Sequence, residues 1–381
     1  RGWQVTLIDR GAEAASAASG NAQGILYAKL PARPTTQSQI HLAGYLYSQR
    51  LLRQLLPDAD CWSDCGVLQL ALSEKEQLKQ NKLLDLGFYP SAVVRGVDRH
   101  QASELAGLPL TQSGLFFPNS GWVNPPSLCK ALINHPAISP LFNTEVAAIS
   151  YCSDNKQWQS LNHDGDTLAS APVMVVANAR EARMFEPLQW LPLKHIRGQV
   201  SRFPQPENSC LKTVLCGNSY ISPPWQNQFC FGATFDLNSD DSSVRSDDHR
   251  QNLSHTAELV PDLARQLALT AEQQRQGRVG FRCTSPDYLP LVGPVADPQQ
   301  YIQAYGELRN NAKIISETSP GHFPGLYVNL AHGSKGLITA PLAAEIIACQ
   351  LTAEPAPIEK SLLDTLNPAR FIIKDLVRRA I

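Results

Sequence analysis

The sequence predicts a mixed α/β fold, in which a Rossmann-like nucleotide-binding domain is interleaved with a second domain built on an antiparallel sheet. Three observations lead to this prediction. Residues 5–9 form a short apolar strand pattern that ends in an acid, and residues 327–351 show strand, glycine-turn and helix patterns in succession. Residues 210–235 contain several short strand patterns around a Pro223-Pro224 turn, as expected for antiparallel strands.

The composition limits the kind of protein and its partners. A 43% hydrophobic and 18% charged chain is typical of a soluble globular protein, and 381 residues exceed the usual size of one core, so two domains are expected. The 33 basic and 34 acidic residues give a net charge of −1, which excludes a global field that attracts nucleic acid. No apolar run approaches the roughly 18–20 residues that span a bilayer, and no charged-then-apolar leader opens the chain, so neither membrane insertion nor secretion is expected.

The cysteines indicate a reducing compartment. Their number, nine, is odd, and they are scattered along the chain without the paired Cys-x-x-Cys spacing of a zinc site. The sequence therefore predicts free thiols in a cytoplasmic protein, and no metal site.

Asp9 has the position of a ribose-binding acid. In a dinucleotide-binding βαβ unit, the second strand ends in an acid that accepts hydrogen bonds from the ribose, about 20 residues after a glycine-rich turn. That turn is absent before Asp9, so residues 1–3 are expected to end the crossover helix, with the first strand and its Gly-x-Gly-x-x-Gly upstream. The alternative is a surface strand that ends in a turn aspartate.

Two segments are suited to close contact with a ligand. Residues 14–27 are mostly small, which lets the main chain pass a flat ring or a pyrophosphate, although a plain flexible loop has the same composition. Residues 332–337 form a glycine turn before a helix, where backbone N–H groups approach an anionic or electron-rich group. In this turn His332 either contacts the ligand or is satisfied by the backbone. The candidate binding residues are Ser19, Gly20, Asn21, Gln23, Gly24, Gly333, Ser334, Lys335, Gly336 and Leu337.

Five motifs occur together and in order: SGNAQG at 19–24, RGQV at 197–200, GFRCTSPDYLP at 280–290, HGSKGL at 332–337 and LNPARF at 366–371. With them the chain resembles the D-amino-acid-oxidase-like FAD flavoproteins over nearly its whole length. More narrowly, it resembles the oxidoreductase half of bifunctional enzymes that modify wobble uridines in tRNA. It departs from them in lacking the glycine-rich FAD fingerprint and the N-terminal methyltransferase half.

The resemblance implies a noncovalent FAD site. Asp9 matches the ribose acid, residues 19–24 match the segment along the pyrophosphate and flavin, and residues 333–337 match the turn at the flavin pyrimidine edge. Val146, in the strand-like residues 143–146, resembles the position whose backbone faces adenine. Ala177 begins a segment, residues 177–179, that resembles the turn closing the cofactor site in the family.

In that turn Asn178 or Ala179 replaces the usual glycine, and Asn also tolerates left-handed geometry. Cys283 lies near the position where some relatives attach flavin covalently, but it is not matched to that position, so the predicted FAD stays noncovalent.

The resemblance also implies two catalytic residues. Arg282 would hold a substrate carboxylate through its planar fork of donors, unless it pairs with a nearby acid such as Asp287. Tyr220 would place a phenol near the flavin, or it is an ordinary half-buried strand tyrosine. No general base is required if the substrate amine binds in its neutral form, and none stands out in the sequence.

The implied reaction is oxidation of 5-carboxymethylaminomethyl-(2-thio)uridine in tRNA to the 5-aminomethyl form, which a methyltransferase half would then methylate with S-adenosylmethionine. Two basic segments could contact tRNA phosphates, or they could form a solvated face. They are Lys194, His195 and Arg197, and the basic helix pattern at 371–379. Two other interpretations stay open: an oxidase of free glycine, sarcosine or a similar amino acid, and a truncated chain without catalysis.

The implied domains are discontinuous. Residues 1–55, 112–190 and 320–381 would bind FAD, and residues 56–111 and 191–319 would form the substrate domain. Within the latter, residues 236–248 are an acidic run expected to be a solvated loop without a catalytic role. Residues 249–276 have a helical pattern that is interrupted near Pro261.

Overall fold

The computed structural model describes residues 2–57, 59–207, 209–237, 239–312 and 320–381. Its strands are β1 (Val5–Ile8), β2 (Gly24–Leu26), β3 (Trp62–Ser63), β4 (Val67–Leu70), β5 (Arg95–Val97), β6 (Gly114–Phe117), β7 (Gly121–Val123), β8 (Ile138–Leu141), β9 (Ala148–Cys152), β10 (Gln157–Leu161), β11 (Thr167–Ala171), β12 (Met174–Val176), β13 (Lys194–Pro204), β14 (Val214–Cys216), β15 (Tyr220–Ile221), β16 (Gln228–Gly232), β17 (Gln276–Thr284), β18 (Leu291–Ala296) and β19 (His322–Leu330). Its α-helices are α1 (Thr36–Leu55), α2 (Glu74–Leu86), α3 (Arg99–Ala106), α4 (Pro125–Ile133), α5 (Ser246–Leu259), α6 (Pro261–Ala268), α7 (Pro298–Tyr305), α8 (Gly336–Thr352), α9 (Lys360–Leu366) and α10 (Arg370–Val377).

The chain folds into two compact units, each built from separated segments. The first unit comprises residues 1–14, 133–195 and 282–381, and the second comprises residues 15–132 and 196–281. Residues 15–55 and 112–132, expected with the FAD-binding segments, thus lie in the second unit, whereas residues 191–195 and 282–312, expected in the substrate domain, lie in the first. The two units are defined by how the chain packs, whereas the expected domains are defined by which ligand each would bind. The division into an FAD-binding domain and a substrate domain therefore remains a prediction.

The first unit contains the parallel pairings of a nucleotide-binding fold. Strand β1 pairs in parallel with β8, and β12 pairs in parallel with β19, whose other neighbour is the antiparallel β18. Strands β9, β10 and β11 form a separate antiparallel sheet. The core between these elements contains Trp158, Val176, Leu326, Val328 and Phe371. Parallel strands require crossover connections, which is why this unit is assembled from distant segments.

The second unit is organised around a large sheet with the strand order β17-β13-β16-β15-β14-β4-β6-β5. From β13 to β5 the neighbouring strands are antiparallel except for the parallel pair of β14 and β4. Buried side chains from this sheet, including Phe203, Phe229 and Phe231, form a core with Leu259 and Leu263 of α5 and α6. Together, the two units confirm the predicted mixed α/β fold with an antiparallel-sheet part.

The local predictions are confirmed at three places. Strand β1 directly precedes Asp9, β19 and α8 flank the glycine turn, and α5 and α6 are separated at Val260 before Pro261. Proline is well tolerated at the first position of a helix, where its missing N–H has no intrahelical partner.

Two local predictions need correction. Residues 143–146 form no strand; they connect β8 to β9, with Asn143 at φ +52°. Their backbone donors bond to the turn after β1 rather than to a strand ladder, because Asn143 N donates to Gly11 O and Thr144 N to Asp9 O. The acidic run is also not wholly loop, since its last residues, from Ser246, begin α5.

All nine cysteines are free thiols, as predicted. In the described ranges, no helix is both long and apolar enough to cross a membrane. The same part of the chain contains no group of three His, Cys, Asp or Glu side chains that could hold a metal ion.

Candidate cofactor and substrate residues

In the first unit, a tight turn joins β19 to α8. Its backbone is left-handed at Ala331 (φ +64°) and at Gly333 (φ +56°), a conformation that glycine adopts without steric cost. Gly333 N donates to Cys283 O at 2.7 Å, and Lys335 N donates to His332 O at 3.0 Å. These bonds fix the turn against the end of β17.

The N-terminus of α8 has free space and donors for a ligand. Lys335 is the N-cap residue, and within the described structure no side chain caps this helix. The first N–H groups of a helix have no intrahelical partner, so those of Gly336 and Leu337 suit an electron-rich ring edge or an anion. A Cβ added to Gly333 or Gly336 would meet no atom closer than 3.9 Å, so protein does not fill the space beside them. The turn therefore fits the edge of a flavin.

His332 supports this turn from within. Its Nε2 lies 2.8 Å from Asn329 Oδ1, and its Nδ1 lies 2.9 Å from Thr339 Oγ1. Desolvation lowers the pKa of His332 to about 4, with a smaller opposing effect of the hydrogen bond at Asn329. The imidazole is therefore neutral near pH 7, and both of its nitrogens have hydrogen-bond partners within the protein.

The carboxylate of Asp9 stabilises a turn with one of its oxygens, and its other oxygen is available as an acceptor. Its Oδ1 accepts the Gly11 N–H at 2.6 Å, which is the turn arrangement weighed from the sequence. Among the described residues, no donor bonds to Oδ2. One carboxylate oxygen can thus stabilise the turn while the other accepts from a ribose hydroxyl. The next residue, Arg10, forms a salt bridge with Glu181 at 2.6 Å.

The turn after β12 shows which residue replaces glycine. Asn178 has φ −86°, whereas Ala179 has φ +57° and therefore occupies the left-handed position. An alanine there carries a steric cost that glycine would avoid. Ala177, the first residue of this turn, is exposed. Val146, on the connection between β8 and β9, is half-buried and packs against the core of the same unit.

In the second unit, residues 19–24 form a turn that leads into β2. Gly20 N donates to Ala17 O at 3.1 Å, and Gly24 begins the pairing of β2 with β7. Gln23 is buried, and its Nε2 donates to Pro223 O at 3.0 Å. The Gln23 amide nitrogen thus holds this turn to the loop after β15. Ser19 is exposed, and Asn21 is half-buried.

Tyr220 lies in β15 of the second unit and is half-buried. Its register partners are Cys216 and Gly232. Its hydroxyl forms a hydrogen bond with Cys230, a thiol whose pKa burial raises to about 11, against the weaker effects of this and other contacts. Tyr220 therefore already has a polar neighbour at its ring tip.

Arg282 lies near the end of β17 and is half-buried. Asp287, the partner considered for it, is engaged elsewhere: Arg370 Nη2 donates to its Oδ1 at 2.9 Å and Lys374 Nζ donates to its Oδ2 at 2.7 Å. Burial by itself raises the pKa of Asp287, but the bonds from Arg370 and Lys374 outweigh it and the pKa is lowered. In the neighbouring Cys283, burial raises the pKa of the thiol to about 11.

The basic residues considered for tRNA contact differ in accessibility. Arg197 is fully buried, with its Nη1 2.6 Å from Asp248 Oδ2 and further bonds to Asp241 O and Ser243 O. The expectation that Arg197 meets phosphates is therefore wrong, because its side chain fixes the acidic loop. Lys194 is exposed, and the ring of His195 lies against Arg180. In α10, Lys374 is partly exposed but paired with Asp287.

Several residues of these sites were not recognised in the sequence. Asn329 and Thr339 hold His332, and Asp248 neutralises Arg197. The spacing of Asn329 and Thr339 offers one weak signal. They lie on either side of the glycine turn, one in β19 and one in α8, and a strand–turn–helix brings such positions close together. Asp248 has no such signal, because it lies 51 positions from its partner.

The strand–turn–helix with an uncapped helix N-terminus, combined with an acid-ended parallel strand, is characteristic of a dinucleotide-binding fold. The sequence profile of the family described as DAO, FAD dependent oxidoreductase, matches residues 1–350. The chain belongs to this family, is an oxidoreductase, and its cofactor is FAD.

Curated relatives are similar over the whole chain. It is 47% identical over 380 residues to the tRNA 5-methylaminomethyl-2-thiouridine biosynthesis bifunctional protein MnmC of Chromobacterium violaceum, an alignment that covers 100% of this chain and 57% of the relative. It is 45% identical over 381 residues to the protein of the same name from Pseudomonas putida strain W619, with 99% and 57% covered. The chain thus spans a little over half the length of these relatives.

Solved structures share the fold. Glycine oxidase from Geobacillus kaustophilus superposes with a TM-score of 0.73 at 21% identity, covering 96% of this chain and 92% of that one. Iminodiacetate oxidase from Chelativorans also gives a TM-score of 0.73, at 20% identity, covering 96% and 93%. At these identities the similarity shows the fold alone.

Proposed function

We propose that this chain is the FAD-dependent oxidoreductase half of a bifunctional tRNA-modifying protein. It would remove the carboxymethyl group from 5-carboxymethylaminomethyl-(2-thio)uridine at the wobble position and leave the 5-aminomethyl form. The observation that supports this most is the 47% identity over the entire chain to the MnmC protein of C. violaceum. A methyltransferase half in the same protein would then methylate the amine with S-adenosylmethionine. Because tRNA is its substrate, the protein would act in the cytoplasm.

Arg282 is proposed as the residue that binds the substrate. The scissile group is a glycine-like secondary amine whose carboxylate is planar, and a guanidinium binds such a group through two parallel hydrogen bonds. Arg282 is half-buried at the end of β17, and Asp287 is neutralised by Arg370 and Lys374. A half-buried guanidinium binds a carboxylate more strongly than one in bulk water. Holding the carboxylate would fix the methylene between it and the amine for oxidation, a positioning effect worth several kcal/mol.

The chemical step needs little acid–base help from the protein. When bound, FAD would supply the oxidising power, as the acceptor of a hydride from the methylene between the amine and the carboxylate. The substrate becomes an imine, and water splits it into glyoxylate and the primary aminomethyl group. A neutral amine needs no general base, so the work left to the chain is binding and orientation. Tyr220 is proposed to position the substrate through its phenol, although its contact with Cys230 gives it a structural role too.

The proposed FAD contacts fall in both compact units. In the first, they are Asp9 at the ribose, Val146 near adenine, Ala177 at the closing turn, and Gly333, Ser334, Lys335, Gly336 and Leu337 at the pyrimidine edge. In the second, they are Ser19, Gly20, Asn21, Gln23 and Gly24. The vacant oxygen of Asp9 and the uncapped helix N-terminus support the first set. The high pKa of Cys283, about 11, keeps its thiol neutral and supports noncovalent FAD.

Nucleoside analysis of tRNA tests this function. The purified full gene product, loaded with FAD, is incubated with tRNA that carries the carboxymethylaminomethyl group, and the wobble nucleosides are separated and identified by mass. We expect loss of the carboxymethyl nucleoside and release of one glyoxylate for each group lost. The alternative, an oxidase of free glycine or sarcosine, would leave the tRNA unchanged and turn over the free amino acid instead.

A further inference from the structure

Arg278, in β17, is packed against residues 16–20 of the same compact unit. Its Nη2 donates to Ser16 O at 2.9 Å and also to Ala17 O. A Cβ on Gly20 would overlap the guanidinium, and a Cβ on Gly280 would lie 3.6 Å from Nη1. Glycine at position 20 therefore makes room for this cation beside a segment that carries proposed FAD contacts.

One side of this guanidinium is unsatisfied. Nη1 of Arg278 is buried and has no hydrogen-bond partner in the described ranges, and no carboxylate there forms a salt bridge with it. Arg278 as a whole is half-buried. Two arginines with more deeply buried side chains have acidic partners: Arg197 pairs with Asp248, and Arg370 pairs with Asp287. A cation removed from water without a counter-ion is unfavourable, so an unpaired donor of this kind indicates a missing anion. Desolvation lowers the pKa of Arg278, yet arginine stays protonated.

The missing anion is best matched by a phosphate. The guanidinium fork suits planar carboxylates and phosphates alike, but the single substrate carboxylate is already assigned to Arg282. Residues 16–20 have only Ser, Ala and Gly side chains and form turns rather than a ladder, so no large side chain of this segment covers the guanidinium. We propose that Arg278 binds a phosphate group through Nη1 while Nη2 holds residues 16 and 17 in place.

Two ligands could supply this phosphate: the diphosphate of FAD, or the backbone of the RNA substrate. The RNA source rests on the proposed function, whereas the FAD source rests only on the family cofactor. Binding assays separate them. The dissociation constant for FAD is measured by titrating the apoprotein of the full gene product, and that for tRNA is measured with the FAD-loaded protein. Inorganic pyrophosphate is added as a competitor in the FAD titration.

Arg278→Gln is the main variant, because glutamine keeps one donor for a carbonyl but removes the charge. We expect its affinity for one of the two ligands to fall about tenfold or more, as the loss of a charged hydrogen bond implies. A weaker FAD affinity, with loss of competition by pyrophosphate, identifies the cofactor. A weaker tRNA affinity with FAD binding unchanged, and a flatter salt dependence, identifies the RNA backbone.

Arg275→Gln is the matched control, since Arg275 also donates to two main-chain carbonyls, Thr270 O and Ala268 O. It should change neither affinity by more than about twofold. If Arg278→Gln does not fold, Arg278→Lys is measured in its place, because lysine keeps the positive charge and loses the planar pair of donors. We expect the affinity of Arg278→Lys for FAD or for tRNA to fall severalfold. FAD and tRNA affinities that both stay within twofold of wild type would overturn the phosphate site. If the wild-type protein does not oxidise the carboxymethyl-bearing tRNA, the proposed function is overturned instead, whatever the FAD affinities are.

Discussion

Arg282 is the residue on which proposed substrate recognition depends. Replacing it with alanine should leave FAD absorption unchanged but lower kcat/KM about 100-fold or more, because a bidentate, partly desolvated contact to the carboxylate is lost. Arg282→Lys should retain part of the rate, since it keeps the charge without the fork. Steady-state assays on carboxymethyl-bearing tRNA measure both. Arg265→Ala, which breaks an exposed pair with Asp262, is the control, and an unchanged rate in Arg282→Ala would remove Arg282 from the site.

His332 makes stability depend on pH. Its folded pKa of about 4 lies below its ordinary value of 6.5, so between these values the unfolded chain binds a proton that the folded protein does not. This lowers stability as pH falls from 6.5 to 4, by at most roughly 3 kcal/mol, with no further effect below pH 4. His332→Gln should flatten this part of the curve in urea unfolding at several pH values. An equally steep curve in the variant would show that His332 titrates normally.

Ala179 tests the turn that follows β12. Because its φ is +57°, glycine would relieve the steric cost, while it would also raise the entropy of the unfolded chain. Ala179→Gly should therefore change the free energy of unfolding by less than about 0.5 kcal/mol, or stabilise the protein. The control Ala344→Gly, on the exposed face of α8, should cost roughly 0.5–1 kcal/mol. Equal losses in both variants would contradict a left-handed Ala179.

At the scale of elements, Asp287 fixes α10 to the loop between β17 and β18. It bonds to Arg370, whose side chain is only 8% exposed, and to Lys374. Asp287→Asn would leave a nearly buried guanidinium without its counter-ion, which should cost about 2–4 kcal/mol in chemical unfolding. Asp262→Asn removes an exposed pair and should cost less than about 0.5 kcal/mol. Similar costs for the two would show that the Asp287 pairs contribute no more than a surface salt bridge.

Helix α10 also shows which features a sequence pattern can predict and which it cannot. The amphipathic period of residues 371–379 predicted α10 correctly, and its buried face contains Phe371, Ile372 and Leu376. The pattern did not show that Arg370 and Lys374 are bound to Asp287, more than 80 positions earlier. Periodicity reports which face of a helix is apolar, whereas an ion pair depends on which distant loop packs beside it.

At the scale of the whole molecule, the fold class and the elements of the proposed cofactor site followed from the sequence, because apolar runs and glycine turns are local signals. The position of β1 before Asp9 and the order of β19, turn and α8 are examples. Arg197 illustrates what could not be predicted. Its charge suggested a surface contact, but folding places Asp248 and two carbonyl groups around it, so it is buried. Long-range pairing of this kind leaves no trace in local composition.

The most direct test of the central claim is the reduction of bound flavin without oxygen. The FAD-loaded full gene product is mixed anaerobically with tRNA that carries the carboxymethylaminomethyl wobble group, and the oxidised flavin absorption is followed in time. We expect this absorption to bleach in proportion to the added tRNA, and not with tRNA that already carries the aminomethyl group. Flavin that stays oxidised with the carboxymethyl tRNA but bleaches with free glycine or sarcosine would contradict the proposed function.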